Sequence, residues 1–129
     1  MAGDEILVRD AVDRLGTLIR SRDPAFADEF DREFFLLVES DAGEVASTRS
    51  ELESLLSGIY ALPVQVTWRW NQVMTKLAGN VALVFAEGDL MLSGSDGIER
   101  RPYRMSGMLQ RSHGRWLWRL FHGSEPAQP

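Results

Sequence analysis

Three side chains in the second half of the chain have the chemistry to move a proton: Glu87, Tyr103 and His122. A carboxylate flanked by aromatic rings loses water and becomes a better base, so Glu87 beside Trp70 and Tyr103 would act as a general base. His122 would give or take a proton, or hydrogen-bond a carbonyl. Tyr103 would donate to an oxyanion as it develops. Trp68, Trp70 and Met105 would supply an apolar wall for the ligand. The chemistry that suits such a set is proton transfer next to a carbonyl, hydration or cyclisation of a small apolar molecule.

These residues act together only if strands bring them together. Val64, Val66, Trp68 and Trp70 alternate with Gln65, Thr67, Arg69 and Asn71, the period of a strand. Val81 to Leu92, Ile98 to Ser112 and Arg115 to Gly123 read as three more strands. They are separated by a turn at Ala78-Gly79-Asn80, a polar loop from Ser93 to Gly97 and a hairpin turn at His113-Gly114. A tight turn at Ala78-Gly79 sets Trp70 opposite Glu87, the five-residue loop from Ser93 to Gly97 sets Glu87 opposite Tyr103, and a tight turn at His113-Gly114 sets His122 opposite Met105; opposite residues share a face. A single bulge breaks the set. Each candidate also has a plainer reading. The four tryptophans Trp68, Trp70, Trp116 and Trp118 serve equally as core or interface aromatics. His122 serves as a satisfied structural residue, and Glu87 as the ion-pair partner of Arg101 or Arg104. Arg69, Arg104 and Arg119 fall on the other face in this register.

Upstream of the strands the pattern is helical. Leu7, Val8, Ala11, Val12, Leu15, Leu18 and Ile19 recur at three- and four-residue spacing, with Gly16 as a weak point. Asp23-Pro24 reads as the cap and first residue of a short second helix carrying Phe26 and Phe30 inward. The run Phe34 to Val38 is too short for a helix and reads as a strand. A turn at Asp41-Ala42-Gly43 and a brief strand at Glu44 to Ala46 follow. Thr48 and Glu51 have capping-box spacing and open a helix that Pro63 stops. Helices first and a meander of long strands after them define an α+β domain. We expect the N-terminal helices to pack on a strongly curved, mainly antiparallel sheet forming a cone with an internal pocket, closed by the last strand, Trp116 to Ser124. One domain is expected to span residues 1–129, with a frayed tail over about 125–129.

Composition limits the function classes. An apolar share of 44% with 26% charged residues is globular. The net charge of −5 opposes phosphate binding, so no nucleic-acid partner is expected. The chain has no cysteine, which removes disulfides, thiolate metal sites and a cysteine nucleophile, and fits a cytoplasmic location. The N-terminus is not a secretory signal, and no apolar run has the roughly 20 residues of a membrane helix. Only His122, Glu87 and Asp89 offer metal ligands and no short-spaced histidine motif exists, so neither metal nor cofactor is expected. No serine has a triad-like arrangement, and no glycine-rich loop joins a strand to a helix.

The second half also carries a pattern. Ala86-Glu87-Gly88 ends an apolar strand, and Tyr103 to Leu109 follows a glycine loop. Gly114, Trp116, His122, Ser124 and Pro126 are then spaced G-x-W-x5-H-x-S-x-P. The chain resembles the SnoaL-like branch of the nuclear-transport-factor-2-like superfamily, with the likeness concentrated from about Trp68 to Pro126. The resemblance implies a cystatin-like α+β cone with a pocket and a homodimer joined through the sheet. It implies ligand binding with isomerase, cyclase or dehydratase chemistry and no cofactor, or else a non-catalytic association module. The departures are specific. The first helix has no Tyr for a ketosteroid isomerase-like site, and His113 and His122 do not reproduce the paired histidines of scytalone dehydratase.

Overall fold

The structure is a computed structural model that describes residues 2–127. Helix α1 (Ala2–Arg20) is followed by a 3-10 turn at Pro24–Glu29 and two short strands, β1 (Leu36–Val38) and β2 (Val45–Ala46). Helix α2 (Arg49–Tyr60) comes next. Four long strands complete the chain: β3 (Gln65–Ala78), β4 (Val81–Gly94), β5 (Gly97–Ser112) and β6 (Arg115–Ser124). The expected tail is irregular at 125–127, and its last two residues lie outside the described ones.

The helix starts follow from local chemistry. Asp23 accepts from the Ala25 amide at 2.9 Å and Pro24 opens the 3-10 turn. Thr48 accepts from the Glu51 amide at 3.2 Å, and the Glu51 carboxylate reaches back to the Ser47 amide at 2.9 Å. Gly16, costly to a helix, has a positional reason. It lets α1 approach β3 closely enough for the Thr67 hydroxyl to donate to the Gly16 carbonyl at 2.7 Å. A Cβ there would lie 3.3 Å from that hydroxyl oxygen.

The sheet order is β2-β1-β6-β5-β4-β3. Every pairing is antiparallel except β1 with β6, where Leu37 lies opposite Phe121 in parallel. The last strand is therefore an interior strand and not the closing edge; β2 and β3 form the edges of an open sheet. The helices cover one face. Val8, Ala11, Val12, Leu15 and Ile19 of α1 are buried against the inward residues Ala82, Val84, Ala86, Leu109, Trp118 and Phe121. Glu29, itself buried, ties this layer to the sheet by accepting from Arg14 of α1 at 2.7 Å and from Arg115 of β6 at 3.2 Å. No helix among the described residues is long and apolar enough to cross a membrane.

Two irregularities set which residues face inward. An extra residue in β3 shifts its register on β4 between Trp70 and Gln72. An extra residue in β6, Arg119, shifts it on β5 between Met108 and Leu109. Two of the three hairpins turn at different residues from those expected. Ala78 pairs with Val81, which puts the first turn at Gly79-Asn80, and Gly94 pairs with Gly97, so a two-residue turn replaces the broader loop from Ser93 to Gly97; the turn at His113-Gly114 falls where expected.

Candidate functional site

The concave face is organised round Tyr103. This residue on β5 lies opposite Gly88 of β4, and Gly88 lies opposite Trp70 of β3. Trp68, two residues along, lies opposite Leu90. Trp68 and Trp70 stack with ring centres 6.0 Å apart and planes 13° from parallel. Tyr103 sits 6.2 Å from the first and 6.1 Å from the second, and Phe121 packs 5.2 Å from Trp68. Met105 is buried on the same face. Aromatic rings therefore form a continuous wall, with Trp70 alone among them half-exposed.

Glu39 projects into that wall. Leu37 of β1 is buried, and a residue two positions on points the same way in extended chain. The hairpin from Ser40 to Gly43 holds it there, closed by the Glu39 amide donating to the Glu44 carbonyl at 2.8 Å. The Tyr103 hydroxyl donates to the Glu39 carboxylate at 2.9 Å. The carboxyl is deeply buried although the residue as a whole is half-buried, and loss of water pushes its pKa up to about 7. The Tyr103 hydrogen bond pulls the other way, and the carboxylates of Glu44 and Asp41 add to the rise. Burial, then the Glu39 charge, push the Tyr103 hydroxyl far above the usual phenol range, so it remains a donor. The buried indole N–H of Trp68 favours the ionised form of Tyr103, a smaller effect than burial and the Glu39 charge, and has no hydrogen-bond partner of its own.

Gly123 makes this contact possible. It lies in β6 opposite Met105, and a Cβ there would occupy the position of the Tyr103 hydroxyl. A glycine below an inward tyrosine gives the hydroxyl its path to Glu39.

The sequence candidates are divided by the sheet. Trp68, Trp70, Tyr103 and Met105 share the concave face, as expected. Glu87 and His122 do not join them. Glu87 lies opposite Arg104 and pairs with it at 2.8 Å on the convex face. His122 lies opposite Ser106 and is exposed on that same face. The reason is register: the changed β4–β5 turn and the two bulges each move a pairing by one residue, which exchanges faces, whereas the changed β3–β4 turn moves its pairing by two, which does not. Glu39 was missed by sequence reasoning. Its signal was faint: a carboxylate in step with Leu37, just past an apolar strand. Among the described residues no group of three or more His, Asp or Glu is arranged to hold a metal ion.

The family model for the SnoaL-like domain matches residues 8–128. The chain belongs to this family. No curated protein matches the sequence significantly. Solved structures place the fold. A Streptomyces avermitilis protein described as a candidate dehydratase of the NTF2-like family is 15% identical with a TM-score of 0.88, covering 99% of this chain and 100% of its own. An NTF2-like protein with a cystatin-like fold from Novosphingobium aromaticivorans is 14% identical with a TM-score of 0.85, covering 99% and 85%. A Xanthomonas campestris protein described as a candidate calcium/calmodulin-dependent protein kinase II association domain is 17% identical with a TM-score of 0.82, covering 95% and 87%. The SnoaL-like chain thus has an NTF2-like, cystatin-like fold, and at these identities the likeness concerns the fold alone.

Proposed function

We propose that this SnoaL-like domain binds a small neutral hydrophobic molecule on its concave face and moves a proton on it with Glu39, without a cofactor. The observation that carries the reading is the 2.9 Å hydrogen bond from Tyr103 to a carboxyl whose pKa is near 7, set in an aromatic wall. A group with that pKa is divided between acid and base at neutral pH, which suits proton transfer. Trp70, the half-exposed ring of the wall, would meet the apolar body of the ligand, with Trp68 and Met105 buried behind it. On binding, the Tyr103 hydroxyl turns from Glu39 to the ligand oxygen, which leaves Glu39 with one hydrogen bond fewer and more basic. Glu39 then takes a proton from the carbon next to a carbonyl. The electron pair moves towards the oxygen, where Tyr103 donates. Return of the proton to another carbon completes an isomerisation; departure of a β-hydroxyl, with that proton, completes a dehydration. The candidate dehydratase of the same fold is compatible with this class.

The test is exchange of the α-protons of a hydrophobic ketone such as 2-acetylnaphthalene in D2O, followed by NMR. The reading expects acceleration that rises through about pH 7 and falls by at least about tenfold in Glu39→Gln. Absence of both binding and exchange over a panel of neutral ketones and β-hydroxyketones would sink it.

A second reading rests on the other face. Met74, Leu83, Leu36 and Val45 are exposed there, with Phe85, Met108 and Leu120 half-buried between them. We infer that two copies meet through this convex face as a homodimer, in a cytoplasmic setting. The association-domain relative is compatible with it. The same surface serves a purely associating module if Glu39 has no substrate. Light scattering giving the mass of a single chain at all concentrations would refute the dimer.

A further inference from the structure

A cleft of about 490 Å³ lies between α1 and the edge strand β3 and shares Trp68 and Trp70 with the aromatic wall described above. Its lining combines apolar side chains with Asp13, Arg20 and Arg69. Met91 is buried at its base, the Trp68–Trp70 stack forms one side, and Ile98 stands 61% exposed at the rim. Arg20, in the last turn of α1, and Arg69, between the two tryptophans on β3, both line it.

The charges are unusual for this molecule. Acidic side chains outnumber basic ones 19 to 14, so a guanidinium seldom lacks a carboxylate nearby. Arg9, Arg14, Arg49, Arg101, Arg104, Arg111, Arg115 and Arg119 all have ion-pair partners. Arg22 donates to the Leu62 and Val64 carbonyls. Among the described residues, Arg20, Arg32, Arg69 and Arg100 alone of the arginines have neither kind of contact, and two of the four share this cleft. Arg20 also complements the C-terminal end of its helix, but that role says nothing of Arg69. Asp13 lines the cleft as well, and Asp89 lies opposite Arg69 on β4, but neither forms an ion pair with Arg20 or Arg69. Among the lining residues two positive groups stand against one negative, which favours a ligand with a single negative charge, and the two carboxylates oppose a second.

We propose that the α1–β3 cleft binds an amphiphilic monoanion: a carboxylate between Arg20 and Arg69, carried on a flat apolar body that lies over Met91 and against Trp70. Arginine suits a planar carboxylate, and a partly apolar cleft strengthens the contact beyond its value in bulk water. The overall charge of −5 repels anions elsewhere, so capture here is selective. Glu39 is not among the residues that line this cleft.

Isothermal titration with 4-phenylbutyrate and with 4-phenyl-1-butanol, its neutral counterpart, tests this directly. At about 50 mM salt the carboxylate should bind about tenfold more tightly than the alcohol, and the difference should shrink at about 300 mM. Arg20→Ala and Arg69→Ala should each remove most of that preference, with thermal midpoints held within about 2 °C. Arg100→Ala, an unpaired arginine outside the cleft, should change nothing. The proposal fails if the carboxylate binds no better than the alcohol, if neither binds, or if Arg100→Ala weakens binding as much as Arg69→Ala does.

Discussion

At Glu39 two effects oppose each other, and burial outweighs the Tyr103 hydrogen bond. The result has a sign that can be measured. A carboxyl with an ordinary pKa near 4.5 when unfolded and about 7 when folded holds its proton more tightly in the native chain. Between those values the folded state binds the extra proton, so stability falls as pH rises through the window and levels off above it. The shift is worth about 3 kcal/mol at most. Glu39→Gln keeps an acceptor for Tyr103 and removes the charge. Urea titrations at pH 5 and pH 8 should show the wild type losing stability over that interval and the variant losing little. Equal slopes would mean that Glu39 is ordinary and that the candidate site lacks its base. Gly123 gives a second test of the same contact. Gly123→Ala puts a methyl on the Tyr103 hydroxyl and should cost about 2–4 kcal/mol. Tyr103→Phe removes the nearest clashing atom, so the double variant should lose less than the sum of the single losses. Strict additivity would place the tyrosine elsewhere.

The elements show why half of the candidate site was legible. Helix ends marked by Asp23-Pro24 and Thr48 were readable because capping chemistry is local. So were the four long strands, because their alternation is local too. The concave grouping of Trp68, Trp70, Tyr103 and Met105 followed from that alternation. Glu87 and His122 were misplaced because register is a long-range property, and a bulge leaves little mark in a single strand's composition. One mark can be named in retrospect. At the bulge after Trp70, a Cβ on Gly88 would collide with the Arg69 carbonyl and lie 2.9 Å from the Trp70 Cα. Backbone cannot move aside as a side chain does, so the bulge requires this glycine. Gly88→Ala should therefore cost about 2–4 kcal/mol in urea denaturation and alter tryptophan fluorescence, since Trp70 lies opposite. The same substitution at the exposed Gly58, where nothing lies within 4 Å, should be neutral or slightly stabilising. A neutral Gly88→Ala would mean that the bulge, and the inward placement of Trp70, are wrong.

At the scale of the whole molecule the two faces of the sheet differ. The concave face, covered by helices, buries the Glu39 carboxyl and Tyr103. The convex face carries two cross-strand rows that reach from β3 towards the opposite edge. One runs Met74, Phe85, Ser106, His122, Val38 and Val45; the next runs Lys76, Leu83, Met108, Leu120 and Leu36. His122, a catalytic candidate on sequence grounds, is thus one of the three polar members of these two rows, with Ser106 and Lys76. A surface of this kind is costly to leave in water, and a second copy of the same patch is the partner always at hand. Leu83, on the strand next to the β3 edge, is 55% exposed. In a two-fold contact Leu83→Glu would introduce two carboxylates into one apolar interface, which raises the cost of association while leaving the single chain unstrained. The wild type should therefore show a thermal midpoint that rises with protein concentration, because association favours the folded state by mass action. The variant should scatter light as a single chain, and its midpoint should not depend on concentration. A wild-type midpoint independent of concentration over about a hundredfold range would leave the convex face without a second copy as its partner.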